Sequence, residues 1–348
     1  MGTVENFAAL NAKIKALEGK MLAQEQYNGL LKTKNYYEAL KYLKENTYYS
    51  EALKDINIMD IHRGDLEIIL KKYYVDIFFK LNHFVKGIYK DLLQLLFLEL
   101  QIEDLKVIFR AKYVDKKEDI KHLLITCHSP MNQIPYEELI AEKNMEALSK
   151  KLKDIKLFKH IAPLLQNFNN ESLFRIEMAL DFEYFSAIRK FIKKMDKENG
   201  EIVKKINGST IDILNIQWIY RGKQYYKLSP EELFNCTIYK GYKINSEMIR
   251  KMCYAKDTNE FYDLISDTVY GSIFSNAKGR DYLIEKEMNT FIRRQLSRYK
   301  SGGKLNISLT LSYIQLMEIE LRDIISIVEN KRYMSEEAKA LEYITKVI

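Results

Sequence analysis

The sequence predicts an all-α protein made of three similar helical units. A passage recurs three times at a spacing near one third of the 348 residues. Only 4 prolines and 13 glycines interrupt the chain, which leaves long runs suited to helices. Within those runs apolar residues return every three or four positions. The clearest copies read LQIEDLKVIFRAK at 100–112, IDILNIQWIYRGK at 211–223 and IELRDIISIVENK at 319–331. Asp104, Asn215 and Asp323 align, as do Phe109, Tyr220 and Val328, and Lys112, Lys223 and Lys331, at offsets of 111 and 108 residues. A second register aligns Glu67, Glu177 and Glu285, and with them Leu70, Leu180 and Met288. A looser third sets Glu38-Ala39-Leu40 against Glu146-Ala147-Leu148 and Glu260-Phe261-Tyr262. Three anchors sharing one period predict a triplicated domain, with units at 1–128, 129–241 and 242–348.

The elements follow in order. Leu10, Ile14, Leu17 and Met21 form a helical stripe over 6–21. Leu30, Leu31, Tyr37, Leu40 and Leu43 continue it over 27–43. Residues 66–100 are strongly apolar and free of proline, which predicts one long helix or two joined near Gly87. The repeated junction comes next, and after each junction lies a helix-start signal. Asp115 precedes Glu118, Ser229-Pro230-Glu231-Glu232 has cap, first-turn proline and third-position glutamate in order, and Ser335 precedes Glu336 and Glu337. The Ser or Asp oxygen satisfies free backbone N–H groups, and the acids sit at the positive end of the helix dipole. Ser129-Pro130 and Lys240-Gly241 read as punctuation between units. The stretches Asn167 to Asn170, Asn199-Gly200 and Ser301-Gly302-Gly303 read as turns within them.

Composition narrows the setting. With 47% hydrophobic residues the chain is expected to fold. The most apolar stretch, Leu92 to Leu100, is broken by Gln94 and Glu99, so no membrane-spanning helix is expected. The first 20 residues carry Glu5, Lys13, Lys15, Glu18 and Lys20 and lack the apolar centre of a signal peptide. Cys127, Cys236 and Cys253 are odd in number and unpaired in spacing, which fits a reducing, cytoplasmic setting. The 55 basic and 48 acidic side chains leave a net charge of +7. An acidic protein, an anionic lipid or a nucleic acid could exploit that excess, but the many acids argue against a dedicated nucleic-acid binder.

The candidates for chemistry fail one by one. Gly302-Gly303-Lys304 lacks both the leading spacing of a phosphate loop and a following Ser or Thr. Asp60, His62, Asp65 and Glu67 would not converge on a helix, so that stretch reads as a helix start. His122, Cys127 and His128 match no zinc spacing, and His62, His83 and His160 stand apart. Glu231-Glu232 is explained by capping. No catalytic, cofactor-binding or metal-ligating residue is therefore expected. Two basic strips remain. Arg293, Arg294, Arg298, Lys300 and Lys304, with Tyr299, form one, and Lys151, Lys153, Lys156 and Lys159 form the other. A solvated face is the default reading of both, and docking to an acidic surface is the functional one.

The chain resembles the C subunit of the V/A-type rotary ATPases, the counterpart of the d subunit in the eukaryotic enzyme. The likeness rests on NAKIKALEGKML at 11–22, NYYEALKYL at 35–43, DIHRGDLE at 60–67 and, above all, NIQWIYRGKQYYKLSPEEL at 215–233. The resemblance implies a funnel-shaped, all-helical protein with pseudo-threefold symmetry and no catalytic role. It implies a place on the cytoplasmic face of the membrane rotor ring, peripheral through protein contacts, one copy in the complex. There it would receive the foot of the central shaft, subunits D and F, and couple it to the ring for ATP-driven or ATP-synthesising ion transport. It implies no nucleotide, no metal and no nucleic acid. On that reading Arg293, Arg294, Arg298, Tyr225 and Tyr226 are the docking candidates. The alternative is a helical-repeat scaffold that binds an acidic protein or RNA through its lysine strips. An enzyme of unrecognised type would need a deep pocket with convergent polar groups.

Overall fold

A computed structural model describes the chain except for residues 1–2, 62, 115–119, 156–157, 159–172, 278–279, 281–282, 301–303, 333–341 and 346–348. The described residues form sixteen α-helices and no strand, as the sparse proline and glycine predicted. They divide into two compact units, one of residues 1–70 with 196–348 and one of residues 71–195.

The first unit opens with α1 (Thr3–Glu18), α2 (Gln24–Leu31), α3 (Tyr36–Asn46) and the single turn α4 (Ser50–Leu53). The expected helix over 27–43 is thus two, because the Asn35 side chain accepts the Glu38 N–H and starts α3 afresh. The next helix, α5 (Arg63–Asn82), runs from this unit into the second. It is followed by α6 (Ile88–Tyr113), and Gly87 between them has φ 52, a left-handed value that glycine adopts without a Cβ clash. Residues 66–100 are therefore two helices joined at the glycine.

The second unit adds α7 (Tyr136–Ala141), α8 (Met145–Asp154) and α9 (Leu173–Ile192). Here α9 lies along α6, and two ion pairs fix the register. Lys106 reaches Asp181 at 2.7 Å, and Arg110 grips Glu177 through both carboxylate oxygens at 2.7 and 3.0 Å. Leu180, Phe97 and Phe109 on the same two helices are fully buried.

The first unit resumes with α10 (Lys197–Arg221), α11 (Pro230–Asn235), α12 (Ser246–Tyr254), α13 (Thr258–Ser266), α14 (Gly271–Ala277), α15 (Ile284–Lys300) and α16 (Ser308–Arg332). Asn199-Gly200 is not a turn but the first turn of α10. Asp196 caps that helix by accepting the Asn199 N–H, and the Asn199 amide oxygen accepts the Ile307 N–H at 2.8 Å. A cap and a tertiary hydrogen bond override the local turn preference of Asn-Gly. Ser229 does form the expected capping box with Glu232. The starts expected at Asp115 and Ser335, and the turns at Asn167 to Asn170 and Ser301 to Gly303, lie outside the described residues.

The third register needs a shift of one residue. Asn35, Asn144 and Asp257 are equivalent caps, accepting from the N–H groups of Glu38, Ala147 and Glu260. The buried faces agree, with Ala39 and Leu43 matching Leu148 and Leu152, then Phe261 and Ile265. Glu38 thus corresponds to Ala147, not Glu146. A slip of one position turns a helix face by about 100°, so burial decides the register where residue identity misleads.

Candidate interaction surface

Among the described residues, each of the three longest helices carries two buried polar residues three positions apart. They are Gln101 and Asp104 on α6, Asp212 and Asn215 on α10, and Glu320 and Asp323 on α16, and all six are buried. Residues spaced by three share a helix face. The second of each pair holds a backbone segment that follows 21 to 23 residues later. Asp104 accepts the N–H groups of Ile125 and Thr126 at 2.8 and 2.7 Å. Asn215 accepts from Ile238 N–H at 2.7 Å and donates to the same residue's carbonyl at 2.8 Å. Asp323 accepts the Thr345 N–H at 2.8 Å.

The first of each pair holds the chain just before a helical hairpin. Gln101 donates to the Asn132 amide oxygen at 2.8 Å, ahead of α7 and α8. Asp212 accepts the N–H groups of Tyr242, Lys243 and Ile244, ahead of α12 and α13. Glu320 accepts the Leu22 N–H at 3.1 Å, ahead of α2 and α3. A lysine completes each tether, buried at Lys331 and half-buried at Lys112 and Lys223. Lys112 donates to the carbonyls of Ile140 and Glu142, Lys223 to that of Ala255, and Lys331 to that of Leu31. All of these are carbonyls at or just past a helix C-terminus, which lack an intrahelical partner. The third tether differs in one respect: its loop is assembled from both ends of the chain.

Burial raises the carboxyls of Asp104, Asp212 and Asp323 above the usual range, and the hydrogen bonds donated to them oppose that rise. At Asp323 the Arg293 guanidinium, 3.0 Å away, is the strongest opposing influence. Burial lowers Lys223 and pushes the nearby Cys253 thiol up to about 12, so that cysteine is not a nucleophile. The aligned Asp104, Asn215 and Asp323, and the aligned lysines, are therefore tethers. Gln101, Asp212 and Glu320 escaped the sequence reading because three different side chains do one job. The available signal was a polar residue at a constant offset within an apolar run.

The basic strips fare unequally. Arg293 turns inward to Asp323 and to the Thr345 hydroxyl, so it is not an exposed docking residue. Arg294 and Arg298 are exposed, while Tyr299 lies under Lys205. Lys151 pairs with Glu138 at 2.7 Å and Lys153 is exposed; Lys156 and Lys159 lie outside the described residues. His128 meets Asp76 at 3.1 Å rather than a metal partner. Among the described residues no three His, Cys, Asp or Glu side chains converge as metal ligands, and no helix is long and apolar enough to cross a membrane.

What the tethers present outward is aromatic. Tyr113 and Val114 follow Lys112, and Tyr225 and Tyr226 follow Lys223; all four are exposed. Tyr37 and Tyr254 are likewise exposed at hairpin turns beside the third and second tethers. Large amphipathic rings fixed on a tethered frame suit protein contact.

The model of the family described as ATP synthase (C/AC39) subunit matches residues 10–343. The C subunit of the A-type ATP synthase of Methanocaldococcus jannaschii is 24% identical over 335 residues, covering 93% of this chain and 82% of that protein. The protein of the same name from Methanosarcina mazei is 24% identical over 296 residues, covering 84% and 78%. That from Methanosarcina acetivorans is 24% identical over 317 residues, covering 90% and 84%.

Proposed function

Because the chain belongs to the ATP synthase (C/AC39) subunit family, and is thus a non-catalytic part of a rotary ATPase, we propose that it couples the rotor shaft to the membrane ring. The shaft partners in this reading are subunits D and F, and the ring lies beneath on the membrane. The chain then sits on the cytoplasmic face, held by protein contacts, and passes torque during ATP-driven or ATP-synthesising ion transport.

The observation that supports this reading is the triple tether. Each of the three helices is locked to the start of a hairpin by one buried polar residue, to that hairpin by a lysine, and to a later backbone segment by a second buried polar residue. Torque transfer needs a stiff body with broad contacts, not a reactive group, and buried side-chain hydrogen bonds rigidify a packed frame. Tyr225 and Tyr226 are docking candidates, as are Arg294 and Arg298, whereas Arg293 belongs to the fold.

Bridging tests the proposal. Purified ring in detergent, purified shaft subcomplex and the purified chain are combined in pairs and all together, then separated by size. Shaft and ring should co-elute only when the chain is added. Shaft that binds ring equally well without it would refute the coupling role.

A further inference from the structure

Residues 221–254 carry seven basic and three acidic side chains, so this short stretch holds +4 of the chain's net +7. It also holds five of the 25 tyrosines. Two segments hold five of the seven basic residues and four of the five tyrosines. Arg221 to Lys227 reads RGKQYYK and precedes α11; Thr237 to Lys243 reads TIYKGYK and follows it. Tyr226 and Tyr239 are each 60% exposed, and Lys227, Lys240, Lys243 and Arg250 are exposed as well. Cations lie over the rings: Lys240 over Tyr239 at 5.3 Å, Lys243 over Tyr242 at 4.8 Å and Arg250 over Tyr254 at 5.6 Å.

The backbone here is fixed and, at two points, strained. Asn215 holds Ile238 by two hydrogen bonds, and Asp212 holds Tyr242, Lys243 and Ile244. The chain crosses Asp212 so closely that a Cβ on Gly241 would lie 1.6 Å from a carboxylate oxygen. Among the described residues only two non-glycine residues have positive φ: Lys227 at 49° and Lys240 at 65°. Glycine would take that conformation without a Cβ clash. Both positions are lysines, both are exposed, and they lie on the two sides of α11. Strain retained at surface cations points to a requirement for their charge.

We propose that this basic, tyrosine-rich face is the seat of an acidic end of the rotor shaft. The inference rests on the coupling role given above and extends the docking tip at Tyr225 and Tyr226 onto the 237–243 loop. Tyr254 donates to Glu231 on α11, the helix that lies between the two segments in sequence. A preformed face loses little freedom on binding, and a focused positive field steers an acidic partner arriving by diffusion. Tyr225, Tyr226, Tyr239 and Tyr254 carry polar hydroxyls, and Phe234 is the one exposed apolar ring of the stretch, which disfavours insertion into a bilayer. One face of three of the rings is already covered by the protein's own cation, which disfavours base stacking.

The test uses the full-length chain and the purified shaft subcomplex, with affinity read at about 50 and about 300 mM KCl. Lys227→Gly with Lys240→Gly should melt at or above the wild-type temperature, while shaft Kd rises on the order of tenfold at the lower salt. Lys240→Glu with Lys243→Glu should weaken binding further, and the differences should shrink at the higher salt. Unchanged shaft affinity in both variants overturns the inference and leaves the coupling role standing. A lower melting temperature for the glycine variant assigns those lysines to the fold and also overturns it. So does unchanged shaft binding with lost binding to phosphatidylserine-containing vesicles or to polyuridine. A wild-type chain that binds ring but no shaft refutes the coupling role itself.

Discussion

Replacing Asp323 by Asn keeps the shape of a buried hub and removes its charge. Four donors converge on Asp323: Thr345 N–H at 2.8 Å on one oxygen, with the Thr345 hydroxyl at 2.9 Å, Tyr27 at 3.3 Å and Arg293 at 3.0 Å on the other. The asparagine oxygen can stay with the Thr345 N–H. Its amide group then occupies the other site, where the two hydroxyls can rotate and accept. The guanidinium has no acceptor and cannot adapt. The Arg293 side chain is only 17% exposed, so its charge is left largely uncompensated. Breaking one partner of such a pair costs about 3 kcal/mol, the low end for buried pairs, because Arg293 keeps the Thr345 hydroxyl and some water. A chain of two compact units need not unfold in one step, so a local readout is required. Hydrogen exchange by mass spectrometry supplies it. Peptides carrying Thr345 and Leu22 to Leu31 should exchange on the order of a hundredfold faster, since 1.4 kcal/mol is about a factor of ten. Adding Arg293→Met should recover roughly half of the loss. Protection within about threefold of wild type, or no recovery in the double variant, would refute this account of the hub.

Two further outcomes follow from the same geometry. Gly241→Ala places a Cβ against the Asp212 carboxylate and should cost on the order of 3 kcal/mol, whereas Gly64→Ala, with nothing within 4 Å, should leave stability unchanged or raise it slightly; paired thermal melts check both. Burial raises the Asp181 carboxyl to about 6, although Lys106 at 2.7 Å opposes the rise, and Lys106 itself is held charged by Asp181 and Glu103. The folded state therefore keeps the Asp181 proton to higher pH than the unfolded chain, and this group's contribution to stability is lost as pH rises from about 4 to about 6. Asp181→Asn lacks that loss, so its stability relative to wild type should improve by on the order of 2 kcal/mol between the two ends of the window; a constant difference in melting behaviour would contradict it.

The sequence and the structure agree where a physical signal is local or repeated. The capping box at Ser229 to Glu232, the break at Gly87 and the buried matches of Phe109, Tyr220 and Val328 were all readable, because each depends on residue type at fixed spacing. Asn199-Gly200 misled because the turn preference was weighed without the Asp196 cap three residues earlier, and because the bond from Ile307 that secures Asn199 lies in no local window. Glu146 misled because identity was matched where the buried face sets the register. Arg293 looked like part of a surface strip, since its neighbours Arg294 and Arg298 lie on the same helix. Only the packing of α16 against α15 shows that one of the three turns inward. The outward face was the least legible part. Tyrosines and lysines at 221–254 have no periodic reason to be exposed, and the two left-handed lysines leave no trace in the composition.

The third tether sets a condition on how the first unit folds. Lys112 and Lys223 reach carbonyls about 30 residues ahead, so those hairpins can dock soon after their helices form. Lys331 reaches Leu31 across 300 residues, and Glu320 reaches Leu22 across 298. The hairpin of α2 and α3 therefore has no long helix to pack on until nearly the whole chain exists. Contacts of such separation form late, because loop closure costs entropy before the contact is gained. Until then Leu30, Leu31, Ala39, Leu40 and Leu43, all fully buried in the finished structure, have only their own hairpin to cover them. The same bond pattern that ties the two ends of the chain to α16 thus makes the start of the chain the last part to be secured. A truncation that removes Thr345 therefore acts on the third tether at Asp323, far from that hairpin in sequence and adjacent to it through Tyr27.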